Sequence, residues 1–345
     1  MKKKKSGCFR GFMILVCVLL GLVLALMIAG TVFANHLLSL VTRTEDVPEE
    51  TLTQEQIQEI IQEETIAPDE TTAPVVKEED VDWGQQEGEV IETSNNIVNI
   101  MLIGQDSRST TGRARSDSMI LVTFNKEEKT ITMTSFLRDL YVKIPGYSDN
   151  KMNAAYAFGG MDLLNQTLET NFGVQVDGDV EVNFYRFADV VDLLGGVDIE
   201  LREDEAYTIN SGIPGSHLSK GMQHLNGEQA LRYSRIRKLD IDADFSRTNR
   251  QRKVITALIE KFRNTKLTTL LGLLDELLPM INTNMDNKEI IQLAKDLFPM
   301  LSECTIISQR VPADGKYYLA TINQMSCIVA DMDAARELLA ETMHD

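Results

Sequence analysis

The sequence predicts an α/β fold: a three-layer αβα domain with a central mixed sheet, preceded by one transmembrane helix and an acidic linker. Three observations carry this. Apolar, β-branched runs that suit strands buried on both faces recur after residue 96. Segments of helical period alternate with them, the pattern of helices layered on a sheet. One charge-free apolar stretch lies directly behind a basic N-terminus.

Residues 1–10 carry Lys2, Lys3, Lys4, Lys5 and Arg10 and read as a cytoplasmic tail. Residues 11–35 hold no charge and are long enough to cross a hydrocarbon core of roughly 30 Å. Val32-Phe33-Ala34 resembles a signal-peptide cleavage site, but a secretory apolar region runs only about 7–15 residues, so the uncleaved anchor is the expectation. Basic residues before the span and acids after it place the remainder outside the cell.

Residues 36–95 read as an acidic, unfolded linker. Between 42 and 95 stand seventeen Asp or Glu and two basic residues, a composition too polar to bury a core of its own. The domain is expected over 96–345, with strands at Ile97–Ile103, Met119–Phe124 and Thr130–Phe136. Helices are expected at Ala154–Asn171, Phe184–Leu194, Ser246–Arg263, Leu267–Leu278, Lys288–Leu301 and Asp331–Met343.

The formal charge of -18 excludes a general nucleic-acid binder, which needs a basic field. No His/Cys spacing suits zinc, and the four histidines stand near no nucleophile motif. Cys304 and Cys327 fall outside the membrane, where a disulfide would persist, and sequence leaves their pairing open.

The chemistry gathers at strand ends. The first strand runs into Gly104-Gln105-Asp106-Ser107-Arg108, and Arg115-Ser116-Asp117 leads into the second. Asp106 and Asp117 at one sheet edge would suit Mg²⁺, which takes one or two carboxylates plus substrate phosphates. Both are equally readable as ordinary loop acids. An extended Tyr233–Arg237 would set Arg235 and Arg237 on one face. On the following helix, Arg247, Arg250 and Gln251 share the inward stripe of Val254, Ile255, Leu258, Ile259 and Phe262. Inward guanidinium groups at a helix N-terminus need an anion, which a phosphate would supply. Internal pairing with Asp240, Asp242 and Asp244 is the alternative. Arg138 and Lys151 are two more basic positions at element boundaries.

At these residues the chain resembles the LytR-CpsA-Psr family of bacterial cell-wall proteins. The matching stretches are Asn99–Arg108, Arg115–Leu121, Arg138–Val142 with Ile144-Pro145-Gly146, Lys151–Tyr156, Val191–Asp198, Leu225–Leu231 through Arg237, and Asp244–Gln251, in order over about 97–262. Leu137 departs from the family, which usually has Pro before the Arg-Asp pair. The resemblance implies transfer of a phosphate-linked glycopolymer, such as teichoic acid or capsule, from a polyprenyl diphosphate carrier to peptidoglycan. It implies Mg²⁺, or Mn²⁺ in its place, on Asp106 and Asp117. It implies a catalytic role for Asp106, Asp117, Arg115 and Arg138, and a diphosphate held by Lys151, Arg235, Arg237, Arg247, Arg250 and Gln251. An apolar tunnel between sheet and helices is expected for the prenyl tail. The partners are then the lipid-linked donor, the peptidoglycan acceptor and the membrane. A lipid diphosphate phosphatase or hydrolase, and a non-catalytic wall-polymer-binding regulator, are the alternatives.

Overall fold

The computed structural model describes residues 35–44, 53, 55–57, 73–85, 89–105, 116–237, 239, 243–297 and 300–344. The predicted span at 11–35 lies outside these but for its last residue. Among the described residues no helix is long and apolar enough to cross a membrane.

A two-residue strand, β1 (Thr42–Arg43), precedes β2 (Ile97–Gln105), β3 (Ser116–Asn125) and β4 (Thr130–Phe136). The short pair β5 (Tyr141–Val142) and β6 (Asn150–Lys151) leads into α1 (Met152–Phe172). This helix breaks at Gly159 and Gly160; Gly160 sits at φ +66°, where a side chain would be strained. Next come β7 (Gly178–Asn183), α2 (Phe184–Leu193), β8 (Val197–Leu201), α3 (Glu203–Gly212), β9 (Gly221–Leu225) and α4 (Gly227–Ser234). The long α5 (Ala243–Asn264) is followed by α6 (Leu267–Leu277), β10 (Asn282–Thr283) and α7 (Asn287–Leu297). The chain closes with β11 (Thr305–Val311), the hairpin β12 (Tyr317–Ile322) and β13 (Met325–Ala330), and α8 (Met332–Met343).

The main sheet has seven strands in the order β1-β10-β7-β2-β3-β4-β11. It is mixed, as expected: β2, β3 and β4 pair antiparallel, while β7 joins β2 and β11 joins β4 in parallel. Side-chain alternation along the strands gives each face its own core. On one face Met101, Ile103, Met119, Leu121 and Phe136 pack with α1 and α8. On the other Ile120, Val122, Ile131 and Met133 pack with Ile255 and Ile259 of α5 and Leu293 and Leu297 of α7. Three layers result. A satellite cluster joins α2, α3, α4 and the β8–β9 hairpin to Val254 of α5.

Parts of the acidic segment fold against the domain, so the expectation of an unfolded linker over 36–95 fails there. β1 is an edge strand of the main sheet, parallel to β10. Ile57 is buried in the α1 core. Val76 donates to the Thr321 carbonyl at 3.0 Å, and Val81 and Trp83 pack on the β12–β13 hairpin and Tyr141. Trp83 stacks on Tyr141 at 5.9 Å. Ile91 donates to the carbonyl of Gly173 at 2.8 Å, and the chain passes so close that a Cβ on Gly173 would lie 2.1 Å from the Glu89 carbonyl oxygen. A few apolar residues spaced among the acids suffice, because a preformed domain supplies the rest of the buried surface.

Two further expectations change. Tyr233–Arg237 is not extended: Asn226 and Gln229 form a capping box that starts α4, which buries Ala230 and Tyr233 and ends at Ser234. Cys304 and Cys327, whose pairing the sequence left open, are buried in separate clusters and are not bridged, one packed with Leu297 of α7 and the other in the β13 cluster.

Candidate active site

One edge of the sheet collects the polar groups. β2 and β4 end there, β3 begins there, and α1 and α5 present their N-termini. At the start of β3, Asp117 Oδ1 accepts from Arg138 Nη1 at 2.8 Å. Arg138 lies just past β4, with Nε 3.4 Å from Asp139 Oδ2. Asp139 Oδ1 is 3.1 Å from the buried ammonium of Lys151, the residue before α1. Asp139 also shares a hydrogen bond with the Asp244 carboxyl. Asp244, in the first turn of α5, faces Arg237 Nη2 at 3.2 Å and Arg247 Nη2 at 3.3 Å.

Asp139 and Asp244 are neighbouring carboxyls in unlike surroundings. Burial disfavours the charge of both, and the environments then part. Lys151 and Arg138 outweigh burial at Asp139 and hold its pKa below the usual range. At Asp244 burial and the bond to Asp139 raise the pKa. The two neighbouring carboxyls are thus pushed in opposite directions, Asp139 down and Asp244 up. Burial also opposes the charge on Arg138, but Asp139 and Asp117 overcome it and its pKa rises. Arg247 goes the other way: burial, then the charges of Arg237 and Arg138, bring it down to about 10 against the pull of Asp244.

The cations here are under-compensated. Arg247 is 4% exposed, yet its Nε and Nη2 have no hydrogen-bond partner. Arg237 Nε and Nη2, Arg138 Nε, Ser116 Oγ and Gln251 Oε1 are likewise buried and unpartnered among the described residues. The ion-pair distances to Asp244 lack hydrogen-bond geometry. Buried donors without acceptors are costly, and a tetrahedral oxyanion would satisfy several at once.

Asp117, Arg138, Lys151, Arg237 and Arg247 thus converge, with Gln251 one turn along α5. Arg235 does not join them; it is the exposed residue closing α4. Arg250 is turned away: its Nε donates to Glu205 Oε1 at 2.8 Å and its Nη1 to the Ile236 carbonyl at 3.0 Å. Asp106, Arg115, Asp240 and Asp242 lie outside the described residues. Sequence reasoning missed Asp139 as the hub; its only signal was its place between Arg138 and a strand.

Among the described residues no three His, Cys, Asp or Glu converge on a metal position. Magnesium needs less: one or two hard carboxylates beside substrate oxygens. Asp117, with the unpartnered Ser116 hydroxyl next to it in sequence, is a donor of that kind.

A family model described as LytR_cpsA_psr family matches residues 60–341. The polyisoprenyl-teichoic acid–peptidoglycan teichoic acid transferase TagU of Bacillus mycoides (strain KBAB4) is 36% identical over 220 residues, 63% of this chain and 69% of the relative. TagT of Bacillus subtilis (strain 168), named for the same transfer, is 38% identical over 209 residues, 59% of this chain and 63% of the relative. A solved structure of TagT bound to LI-WTA superposes with a TM-score of 0.61 at 30% identity, covering 76% of this chain and 96% of that one. A TagT structure with bound octaprenyl pyrophosphate lipid gives 0.57 at 29% identity, covering 76% and 98%.

Proposed function

The chain belongs to the LytR-CpsA-Psr family, and from that premise we propose that it transfers a phosphate-linked glycopolymer from a polyprenyl diphosphate carrier to peptidoglycan. The observation that carries this reading is the set of buried, unpartnered guanidinium atoms on Arg138, Arg237 and Arg247 beside Asp117. The cluster has more donors than acceptors, the complement of a diphosphate.

The donor's phosphate oxygens replace Asp244 between Arg237 and Arg247. Arg138, held by Asp117 and Asp139, and Lys151, held by Asp139, add fixed positive charge that needs no reorganisation during reaction. A sugar hydroxyl of peptidoglycan attacks the phosphorus that bears the glycan. Its proton passes to a site carboxylate. The bond to the polyprenyl phosphate breaks, and that group leaves with the bonding electrons. Asp117, with Asp106, would hold magnesium or manganese, which would neutralise charge on the phosphate oxygens.

The same reading sets the topology. Residues 11–35 anchor the chain in the membrane, with the N-terminus inside and the domain outside. Thr42 already stands in the sheet, so only the six residues 36–41 separate it from the span, at most about 25 Å. The acidic stretch after β1 is not the tether. Its residues Val76, Val81 and Trp83 dock on the β12–β13 hairpin. The domain consequently sits close to the bilayer that carries its donor.

Full-length protein incubated with labelled lipid-diphosphate glycan, divalent cation and peptidoglycan fragments should place the label in peptidoglycan. Release of free phosphorylated polymer with acceptor present would assign a hydrolase. Binding without turnover would assign a regulator.

A further inference from the structure

The interface between α5 and the sheet holds two more cations that the site above does not use. Arg252 is 5% exposed; its Nε donates to Ser308 Oγ at 2.6 Å, and its Nη1 has no partner. No carboxylate pairs with it among the described residues, and its pKa falls to about 10 because it is buried and beside Arg310. Arg310 lies over the Phe245 ring at 4.4 Å, pairs through Nη2 with the exposed Asp314, and leaves its buried Nε unpartnered.

These groups share one face. Ser308 is in register with Met133, and Arg310 with Ser135. Met133 packs against Ile255 and Ile259, so this is the face that α5 covers. The Ser135 hydroxyl on the same face is fully buried and also unpartnered. Three unsatisfied donor groups therefore meet within one layer: Arg252 Nη1, Arg310 Nε and Ser135 Oγ.

The niche shares α5 and the end of β4 with the first cluster but lies on another side of the helix, Arg252 being about 140° round the axis from Arg247. Arg252 is five residues along α5 from Arg247, about 7.5 Å of helix rise. Ser135 stands three residues before Arg138, and Phe245, which carries the Arg310 guanidinium, follows Asp244. Buried guanidinium groups without counter-charge are expensive, and like charges side by side add to the cost. An oxyanion is the group that would relieve both.

We propose that Arg252, Arg310 and Ser135 form a second oxyanion subsite, on the same helix as the diphosphate cluster, that takes phosphate oxygens of the donor. This rests on the transferase reading for its ligand class. Two sources share the chemistry: an oxygen face of the diphosphate itself, and a phosphodiester of the attached polymer. Entry requires Arg310 to slide along Phe245, the movement its exposed partner Asp314 permits.

The test is calorimetric titration of the full-length protein in detergent with inorganic diphosphate and, separately, inorganic triphosphate, each with magnesium. Arg252→Met keeps the volume and removes an unpaired charge, so its melting temperature should hold or rise. It should weaken triphosphate binding about tenfold or more, and Arg310→Met should act in the same direction. If diphosphate binding is spared, the subsite serves a phosphate beyond the diphosphate; if both fall equally, it serves the diphosphate. Unchanged affinity for both anions in folded Arg252→Met and Arg310→Met overturns the subsite, and failure of one variant to fold leaves the other to decide. Arg247→Ala separates this from the parent reading. Retained diphosphate binding there, with triphosphate binding lost in Arg252→Met, would sink the transferase site and keep the subsite. A wild-type protein that binds neither anion overturns both.

Discussion

Arg247 and Arg250 stand three residues apart on one helix and are equally buried, at 4% and 3% exposure. Their fates differ. Arg250 is enclosed by Glu205 and the Ile236 carbonyl, inside a shell that knits α3 and α4 to α5. Arg247 has Asp244 at 3.3 Å, without hydrogen-bond geometry, and two nitrogens with no hydrogen-bond partner. Burial alone does not distinguish a structural arginine from a ligand-binding one. The completeness of its partners does, because an unsatisfied buried cation costs stability until an anion is supplied from elsewhere.

The largest expected effect breaks the satisfied side. Arg250→Ala takes from buried Glu205 its buried cation, leaving only the Arg202 backbone N–H and the half-exposed Arg202 guanidinium at 3.8 Å, and should lower stability by roughly 3–5 kcal/mol in chemical denaturation. Arg250→Met with Glu205→Leu should recover most of that, less the cap that Glu205 gives the α3 N-terminus. A single Arg250→Ala variant as stable as wild type would erase the contrast. On the open side, Arg247→Met should reduce transfer about 10²–10³-fold with no fall in melting temperature. Loss of stability comparable to Arg250→Ala would put Arg247 among the structural arginines.

A third buried charge sharpens the rule at smaller scale. Asp179 on β7 is fully buried; Oδ2 accepts from Asn165 and Asn284, and Oδ1 has no partner. Burial raises its pKa to about 6. A raised folded-state pKa means that ionisation costs the folded state. The penalty is absent below about pH 4, grows as pH rises to about 6, and is complete above that. Asp179→Asn should therefore stabilise the protein by roughly 2 kcal/mol at pH 7 and by almost nothing at pH 4. A pH-independent gain would exclude ionisation as its source.

Legibility in the sequence followed local periodicity. Thr130–Phe136 forms β4 over the predicted residues, because a run of Thr, Ile, Met and Phe has no competing helical stripe. The long helices α1 and α5 declared themselves in the same way. Strand β7, Gly178-Asp179-Val180-Glu181-Val182-Asn183, did not; its acids suit a strand only because β2 and β10 flank it. Tyr233–Arg237 misled through an apparent alternation, because the Asn226–Gln229 capping box starts a helix that runs on through Ser234. In the acidic segment, average composition hid Val76, Val81 and Trp83.

By itself the sequence determined the αβα layering, the family, and the crowding of arginines around α5, since hydrophobic period and residue type are properties of short stretches. The tertiary structure decided which arginines are unsatisfied, made Asp139 their hub, and turned Arg250 and Arg235 away. Those outcomes depend on carboxylates from β3, the turn after β4, α3 and α5 meeting across the fold. Partners distant in sequence have no local signal.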